Sequence, residues 1–201
     1  MRIKIQHGRI IDYANRLDSV GDIYIADGQI VAIHEAPLNF QFDTVIDATN
    51  KVVCAGFVDL SVRLADVSKE TKVAASAGVT TFCVQPDISP IIDTPEVVKH
   101  LDDVAKQANY ASCRFSGALT QHLNGSELSS MLSLQQSGCI AISNGEFPVK
   151  NLLVLRRAME YAASHNLLFM YRPNEFSLSN GGCAHEGTMA TRSGLPRIPD
   201  I

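Results

Sequence analysis

The sequence predicts an α/β fold built on a parallel sheet. From Lys51 onward, short apolar segments alternate with longer amphipathic segments. They do so about five times, at the spacing of roughly thirty residues that a strand–helix–strand unit needs. Residues 1–50 instead alternate apolar and polar side chains in short runs without helical periodicity. Strands that alternate with helices form a parallel sheet, and both a three-layer sandwich and a β/α barrel fit this pattern.

The first part of the chain, residues 1–52, is predicted to be a separate β-rich segment. Its strands are expected within "MRIKIQHGRII", "GDIYIADGQIVAIHEA" and "DTVIDATNKVV", because side chains of alternating polarity point to opposite faces of a strand. Asp27-Gly28 lies between two alternating runs, and this dipeptide is typical of a two-residue hairpin turn. No helix is predicted in this segment.

The second part is predicted to contain strands and helices in strict alternation. The predicted strands cover 52–64, 79–86, 112–119, 139–144 and 167–173, and the predicted helices cover 68–79, 93–109, 125–138 and 149–166, with a further helix opening within 185–193. Ser68 is the predicted N-cap of the first helix and Gly78 its end. Thr94 and Pro95 are the residue types that begin a helix, and they start the second one.

Composition excludes several classes of function. The chain has 201 residues, of which 46% are hydrophobic, so it can bury a sizeable core. Its formal net charge is −4 and it has no long run of lysine and arginine, so it lacks the pattern of a nucleic-acid-binding protein. No apolar run reaches the roughly eighteen residues of a transmembrane helix. The charged, alternating N-terminus also differs from a signal peptide, so we expect neither nucleic acid nor membrane as a partner.

The cysteines predict a reducing compartment. The chain has 5 cysteines, widely separated and without a Cys-x-x-Cys pair: Cys54, Cys83, Cys113, Cys139 and Cys183. An odd number without paired spacing is typical of a cytoplasmic protein rather than of a disulfide scaffold. We therefore expect these residues to be small, buried core side chains rather than metal ligands or nucleophiles.

Polar residues collect where the predicted strands end. In a parallel β/α fold, functional side chains lie at the carboxyl ends of the strands and in the loops that follow. The residues at these positions are Ser61, Arg63, Gln85, Asp87, Thr120, Ser143, Asn144 and Arg172. Asp59, Ser61 and Arg63 share one face of the first strand, because side chains alternate along it.

Three segments resemble the dihydroorotases of the amidohydrolase superfamily. "KVVCAGFVDLSVRL" is similar to their first barrel strand, in which Gly-Phe-x-Asp precedes His-x-His-Leu-Arg, and 69–98 is similar to their second unit. "HEGTMATRSGLPRIP" is similar to the segment after their fifth strand. The resemblance covers essentially the whole chain. It implies an incomplete (β/α) TIM-type barrel of about five units over 53–201, preceded by part of a small β-sandwich over 1–52.

The site positions depart from this family. The resemblance places the two metal-binding histidines of the first strand on Ser61 and Arg63. It places the arginine that binds the substrate carboxylate on Ala65 and the substrate-binding asparagine on Asp87. The metal ligand of the fourth strand falls near Asn144, and the histidine of the fifth strand falls on or beside Arg172. Serine is a poor zinc ligand, and arginine has no lone pair to give. We therefore predict no metal ligands, no catalytic residues and no cofactor.

The charged residues of the predicted site are expected to pair with one another. Arg63 points inward at the barrel mouth and would pair with Asp59 or Asp87, because an unpaired buried charge is costly. Arg172 is expected to join the same network. The histidines form no His-x-His pair, and His185 and Glu186 are expected to lie as neighbours on a helix, where they diverge too far for joint chelation.

Two further segments are more similar to one branch of the family. "AISNGEFPV" and "YRPNEF…GGCAHEG" resemble the branch that lost its metal site and accompanies aspartate transcarbamoylase in some bacteria. The resemblance implies a non-catalytic, cytoplasmic protein of pyrimidine biosynthesis that serves as a scaffold for aspartate transcarbamoylase catalytic chains, with a homo-oligomer as a further option. One alternative is a metal-dependent dihydroorotase or other cyclic amidohydrolase that holds zinc. The other is a truncated, nonfunctional remnant, because a complete barrel takes about 250 residues.

Overall fold

The chain folds into two compact units. The computed structural model describes residues 1–179 and 181–200. The first unit is Met1–Gly56 and the second begins at Phe57. The predicted boundary followed residue 52, a few residues earlier. Among the described residues, no helix has the length and apolar character needed to cross a membrane.

The first unit is a single five-stranded sheet. Its strands are β1 (Arg2–Asp12), β2 (Leu17–Ala26), β3 (Gln29–Ile33), β4 (Thr44–Asp47) and β5 (Val52–Cys54). The order is β3-β2-β1-β4, and β5 also pairs with β1. The predicted hairpin at Asp27-Gly28 is confirmed, because Ala26 pairs with Gln29 across it. Both turn residues have positive φ, 52° and 78°, as a two-residue turn between twisted strands requires.

The second unit is built on a parallel sheet. Its strands are β6 (Phe57–Val62), β7 (Val79–Val84), β8 (Ser112–Ala118), β9 (Cys139–Ser143) and β10 (Phe169–Met170). The strands lie in sequence order, β10-β9-β8-β7-β6, and every neighbouring pair is parallel. This arrangement confirms the predicted α/β class and the incomplete TIM-type barrel.

Helices connect these strands and cover the sheet. They are α1 (Val67–Ser76), α2 (Pro95–Ala108), α3 (Met131–Gln136) and α4 (Leu152–Ser164). The core lies between helices and strands, where Phe82 and Val84 of β7 pack with Val98 of α2 and Leu134 of α3, all at most 1% exposed. Burying these side chains fixes the sheet and so positions the loops at its carboxyl edge.

The beginning of α1 differs from the prediction. The N-cap is Asp66, whose side chain accepts a hydrogen bond from the backbone N–H of Lys69 at 3.1 Å. Ser68 already lies inside the helix, so its assignment as the cap was wrong. Asp66 lies two residues before the predicted start of the helix, and its carboxylate accepts one of the free N–H groups of the first turn. Gly78 follows the helix with a φ of +85°, as predicted.

The C-terminal part contains short elements. A turn of helix, α5, spans Phe176–Ser179, β11 (Ala184–His185) pairs in parallel with β12 (Arg197–Ile198), and α6 spans Thr188–Arg192. The further helix therefore begins at Thr188. The placement of His185 and Glu186 on that helix was wrong, because His185 belongs to β11 and Glu186 precedes α6. Gly187 separates the two elements.

The cysteines fall into two groups. Cys83, Cys113 and Cys139 are buried, whereas Cys54 and Cys183 are exposed. Burial raises the pKa of both Cys113 and Cys139 to about 12, so these thiols stay protonated and unreactive near neutral pH. The prediction of buried core thiols is confirmed for these three strand residues and was wrong for the other two.

The edge strand β6 generates a prediction about self-association. Among the described residues no strand pairs with its outer edge, and Phe57, Val58 and Leu60 are 64%, 61% and 66% exposed. An exposed apolar edge promotes pairing between chains. We expect the chain to form concentration-dependent oligomers in sedimentation velocity experiments. We expect Leu60→Lys to shift the chain towards monomer, because a charge on the edge strand opposes pairing. The control is Val73→Lys on α1, where a side chain is equally exposed (65%) but lies away from the edge. A monomer at every concentration would contradict this expectation.

Candidate functional site

The carboxyl ends of the strands surround a cavity of about 290 Å³. It lies entirely within the second unit, at the edge of the sheet where the sequence predicted function. Of the residues predicted at the strand ends, Ser61, Arg63, Gln85, Ser143 and Arg172 line it, and Glu146 joins them. The parallel register therefore brings residues from four separated segments together.

The centre of the site is an ion pair between Arg63 and Asp87. Arg63 Nε donates to Asp87 Oδ2 at 2.8 Å. The Asp87 side chain is only 4% exposed, whereas that of Arg63 is 41% exposed. A carboxylate this deeply buried needs an opposite charge, so the predicted pairing of Arg63 with Asp87 is confirmed. The alternative partner, Asp59, accepts the backbone N–H of Ser61 instead, at 3.0 Å.

Glu146 extends this pair into a network. Its backbone N–H donates to Asp87 Oδ2 at 3.1 Å. Its side-chain Oε1 lies 3.2 Å from Arg172 Nη1 and 3.7 Å from Arg63 Nη2. The expected membership of Arg172 in the network is confirmed, and Glu146 is the link. Sequence reasoning missed Glu146, although it is the one carboxylate in the loop that follows β9.

A glycine makes the close approach of Asp87 possible. Gly145 has a φ of +59°, and a Cβ atom built on it would lie 2.5 Å from Asp87 Cγ. Glycine adopts positive φ without a steric penalty and offers no side chain to collide. The chain can therefore bring the Glu146 amide against the Asp87 carboxylate. The second oxygen, Asp87 Oδ1, is buried without a hydrogen-bond partner among the described residues.

Asn144 is a structural residue next to the cavity. It is 2% exposed. Its Oδ1 accepts from the Thr120 hydroxyl at 2.8 Å and from the Thr120 backbone N–H at 3.2 Å. Its Nδ2 donates to the Phe147 carbonyl at 2.9 Å. Asn144 therefore fastens the loop after β9 to the loop after β8, and it is not part of the cavity lining.

Ala65 also stays apart from the cavity. Its contribution is a backbone N–H that donates to Glu70 Oε1 at 3.0 Å, at the start of α1. The floor of the cavity is provided instead by Gln85 and Ser143, which are 3% and 4% exposed. Gln85 Nε2 donates to the Leu60 carbonyl at 3.4 Å, and Ser143 Oγ accepts from the Gly145 N–H at 3.0 Å. Gln85 and Ser143, and not the residue at position 65, therefore supply the buried polar groups of the cavity.

These residues do not fit a zinc centre. Hydrolytic zinc sites use three protein ligands from histidine, cysteine or carboxylate. Within 1–179 and 181–200, no three such side chains form a group able to hold a metal ion. The two carboxylates at the cavity, Asp87 and Glu146, face guanidinium groups, whose positive charge opposes a divalent cation.

The buried pair generates a stability prediction. Arg63→Ala leaves Asp87 buried without its charged partner, so we expect the free energy of unfolding to fall by about 2 kcal/mol in urea denaturation, less than for a fully buried pair because Arg63 is partly exposed. Arg63→Lys should recover part of this loss, since an ammonium supplies charge without the planar fork. The control is Arg156→Ala, which breaks an exposed pair with Glu160 and should cost at most about 0.5 kcal/mol. Equal losses in the two alanine variants would overturn the assignment.

Solved structures with a similar fold include hydantoinases. The L-hydantoinase (dihydropyrimidinase) from Arthrobacter aurescens has a TM-score of 0.72 and 17% identity, with 89% of this chain and 42% of that chain covered. A D-hydantoinase (dihydropyrimidinase) from Thermus sp. has a TM-score of 0.68 and 20% identity over the same shares. At this level of identity the likeness establishes the fold.

Curated relatives are more similar in sequence. A dihydroorotase-like protein of Pseudomonas aeruginosa is 39% identical over 100% of this chain and 49% of its own length. A dihydroorotase of Solibacter usitatus is 35% identical over 99% of this chain and 48% of its own length. The chain thus spans about half the length of these relatives. The family profile described as "Dihydro-orotase-like" matches residues 50–201, which is most of the chain, and the chain therefore belongs to the dihydroorotase-like family.

Proposed function

We propose that this chain is a non-catalytic member of the dihydroorotase-like family that acts in the cytoplasm as a scaffold for aspartate transcarbamoylase. The observation that supports the loss of catalysis is the Arg63–Asp87 ion pair, with Nε and Oδ2 2.8 Å apart. It lies where the family resemblance places a metal ligand and a substrate-binding side chain. Since the chain spans about half of its relatives, the activity and partners of the whole protein are part of this proposal.

The chemistry of cyclic amide hydrolysis supports the same proposal. Opening such a ring requires an activated water and a polarised carbonyl, which a catalytic metal supplies together with a general base. The carboxylates at the cavity are engaged by Arg63 and Arg172, so neither is a free base. Ser61 lies at the cavity without a histidine beside it to activate its hydroxyl.

The proposed partner rests on resemblance. The segments 141–149 and 171–187 are similar to the branch of the family that accompanies aspartate transcarbamoylase. Relatives named dihydroorotase favour a second candidate function, a metal-dependent cyclic amidohydrolase. A nonfunctional remnant is the third reading. Metal content, turnover and partner binding separate the three.

The first test concerns metal and activity. We expect the purified chain to hold well below one zinc per chain and to show no dihydroorotate cyclisation above background, because the residues at 61 and 63 cannot ligate zinc. The double variant Ser61→His/Arg63→His should stay inactive in added zinc, since two imidazoles are fewer than the three ligands such sites use. Elemental analysis and a cyclisation assay measure both. Stoichiometric zinc with turnover would establish the amidohydrolase candidate instead.

The second test concerns the partner. We expect tagged chain expressed in its native cells to retain aspartate transcarbamoylase catalytic chains through affinity purification and size exclusion. An exposed-surface variant on α4, Arg156→Ala, whose side chain does not line the cavity, serves as a matched control for tag and expression. Separation of the two proteins on the column, with a cooperative melt of the isolated chain, would reject the scaffold role. Separation with a non-cooperative melt would favour the remnant.

A further inference from the structure

The cavity already contains a carboxylate held between two guanidinium groups. Glu146 Oε1 lies 3.2 Å from Arg172 Nη1 and 3.7 Å from Arg63 Nη2. The side chains of Glu146 and Arg172 are 59% and 66% exposed. Exposed ion pairs of this kind contribute little net stability. The Glu146 carboxylate can therefore leave its position at small cost, while Arg63 remains anchored to Asp87.

Both arginines keep donors for a second carboxylate. A guanidinium has five N–H donors in a planar fork. Across the described residues, Arg172 hydrogen-bonds through Nη1 alone, to Glu146, and Arg63 hydrogen-bonds through Nε alone, to Asp87. A planar carboxylate matches this fork geometry. The unused N–H groups of two guanidiniums at one cavity are thus suited to a small organic anion.

The floor of the cavity offers polar groups for the remainder of a ligand. Gln85 and Ser143 are more than nine-tenths buried and line the same cavity as the arginines. Gln85 Oε1 accepts no hydrogen bond from the described residues, and Ser143 Oγ accepts from Gly145, which leaves its O–H free to donate. One acceptor and one donor therefore remain unused at the bottom of a cavity of about 290 Å³.

We infer that the cavity binds a small organic carboxylate, which displaces Glu146 from between Arg63 and Arg172 while Gln85 and Ser143 hydrogen-bond to the rest of the ligand. The Glu146 carboxylate then competes with the ligand for the same two guanidinium groups. The recognition differs from that implied by the family resemblance, because the residue at the position of the family arginine, Ala65, lies outside the cavity lining. Binding requires neither a metal nor the transcarbamoylase.

Malonate is the probe, and its neutral diamide, malonamide, is the matched control. Calorimetric titrations at constant ionic strength use chelator-treated chain, so that malonate cannot act through a metal. Glu146→Gln removes the competing charge, and we expect it to raise the affinity for malonate about two- to fivefold, because an exposed ion pair contributes little net free energy and its removal returns no more than that. Arg172→Gln should lower the affinity about tenfold by removing a charged fork. Malonamide should not bind.

A surface variant controls for nonspecific charge effects. Arg156→Gln removes an exposed guanidinium on α4 that pairs with Glu160, and it should leave the affinity for malonate unchanged. Chemical shift changes of the Gly145 and Glu146 amides locate the binding and detect it when heats are small. The inference is overturned if Glu146→Gln binds malonate no more tightly than the parent protein does. It is also overturned if Arg172→Gln leaves the affinity for malonate unchanged. Because no zinc or partner is present, these results are independent of the tests of the scaffold role.

Discussion

The burial of the Asp87 carboxylate is the constraint on which the rest of the site depends. At 4% exposure it needs a cation, and Arg63 at the end of β6 provides one. The same oxygen accepts the Glu146 amide, so a single atom joins the ends of β6, β7 and β9. Glu146 then brings in Arg172, which follows β10. Each of these contacts is short because the parallel sheet delivers all four chain segments to one edge.

The loops at this edge are held by hydrogen bonds as well as by apolar packing, since Ile92, Leu119 and Val149 of these loops belong to the buried core. Asn144 ties the loop after β9 to Thr120, and Gly145 lets that loop pass directly over Asp87. The apolar core between the helices and the sheet fixes the strands beneath. The polar side chains that line the cavity are distinct from these core residues, so a barrel scaffold can persist when the residues at its mouth change.

The alternation of segments was sufficient to predict the parallel sheet of the second unit, and Asp27-Gly28 was sufficient to predict the hairpin between β2 and β3 in the first unit. Charge balance limited the expected partner of Arg63 to Asp59 or Asp87, and the structure shows that it is Asp87. The N-cap of α1 and the contact of Glu146 with Asp87 could not be derived from the spacing of residues along the sequence. Aspartate and serine are both favourable N-cap residues, so the choice between Asp66 and Ser68 depends on where the first turn of α1 begins. Glu146 is 59 residues from Asp87 in sequence, and only the folded register shows that they meet.

The mutual dependence of Arg63 and Asp87 also determines the order in which substitutions can accumulate. Replacing Arg63 by a histidine first would leave the buried Asp87 carboxylate without its charged partner. Replacing Asp87 first would leave the Arg63 guanidinium at the cavity without its carboxylate. Each single step towards a metal-binding arrangement therefore passes through a less stable protein. The two positions therefore constrain each other, because replacing either partner alone lowers the stability of the protein, whereas a simultaneous change at both positions avoids an unpaired charge.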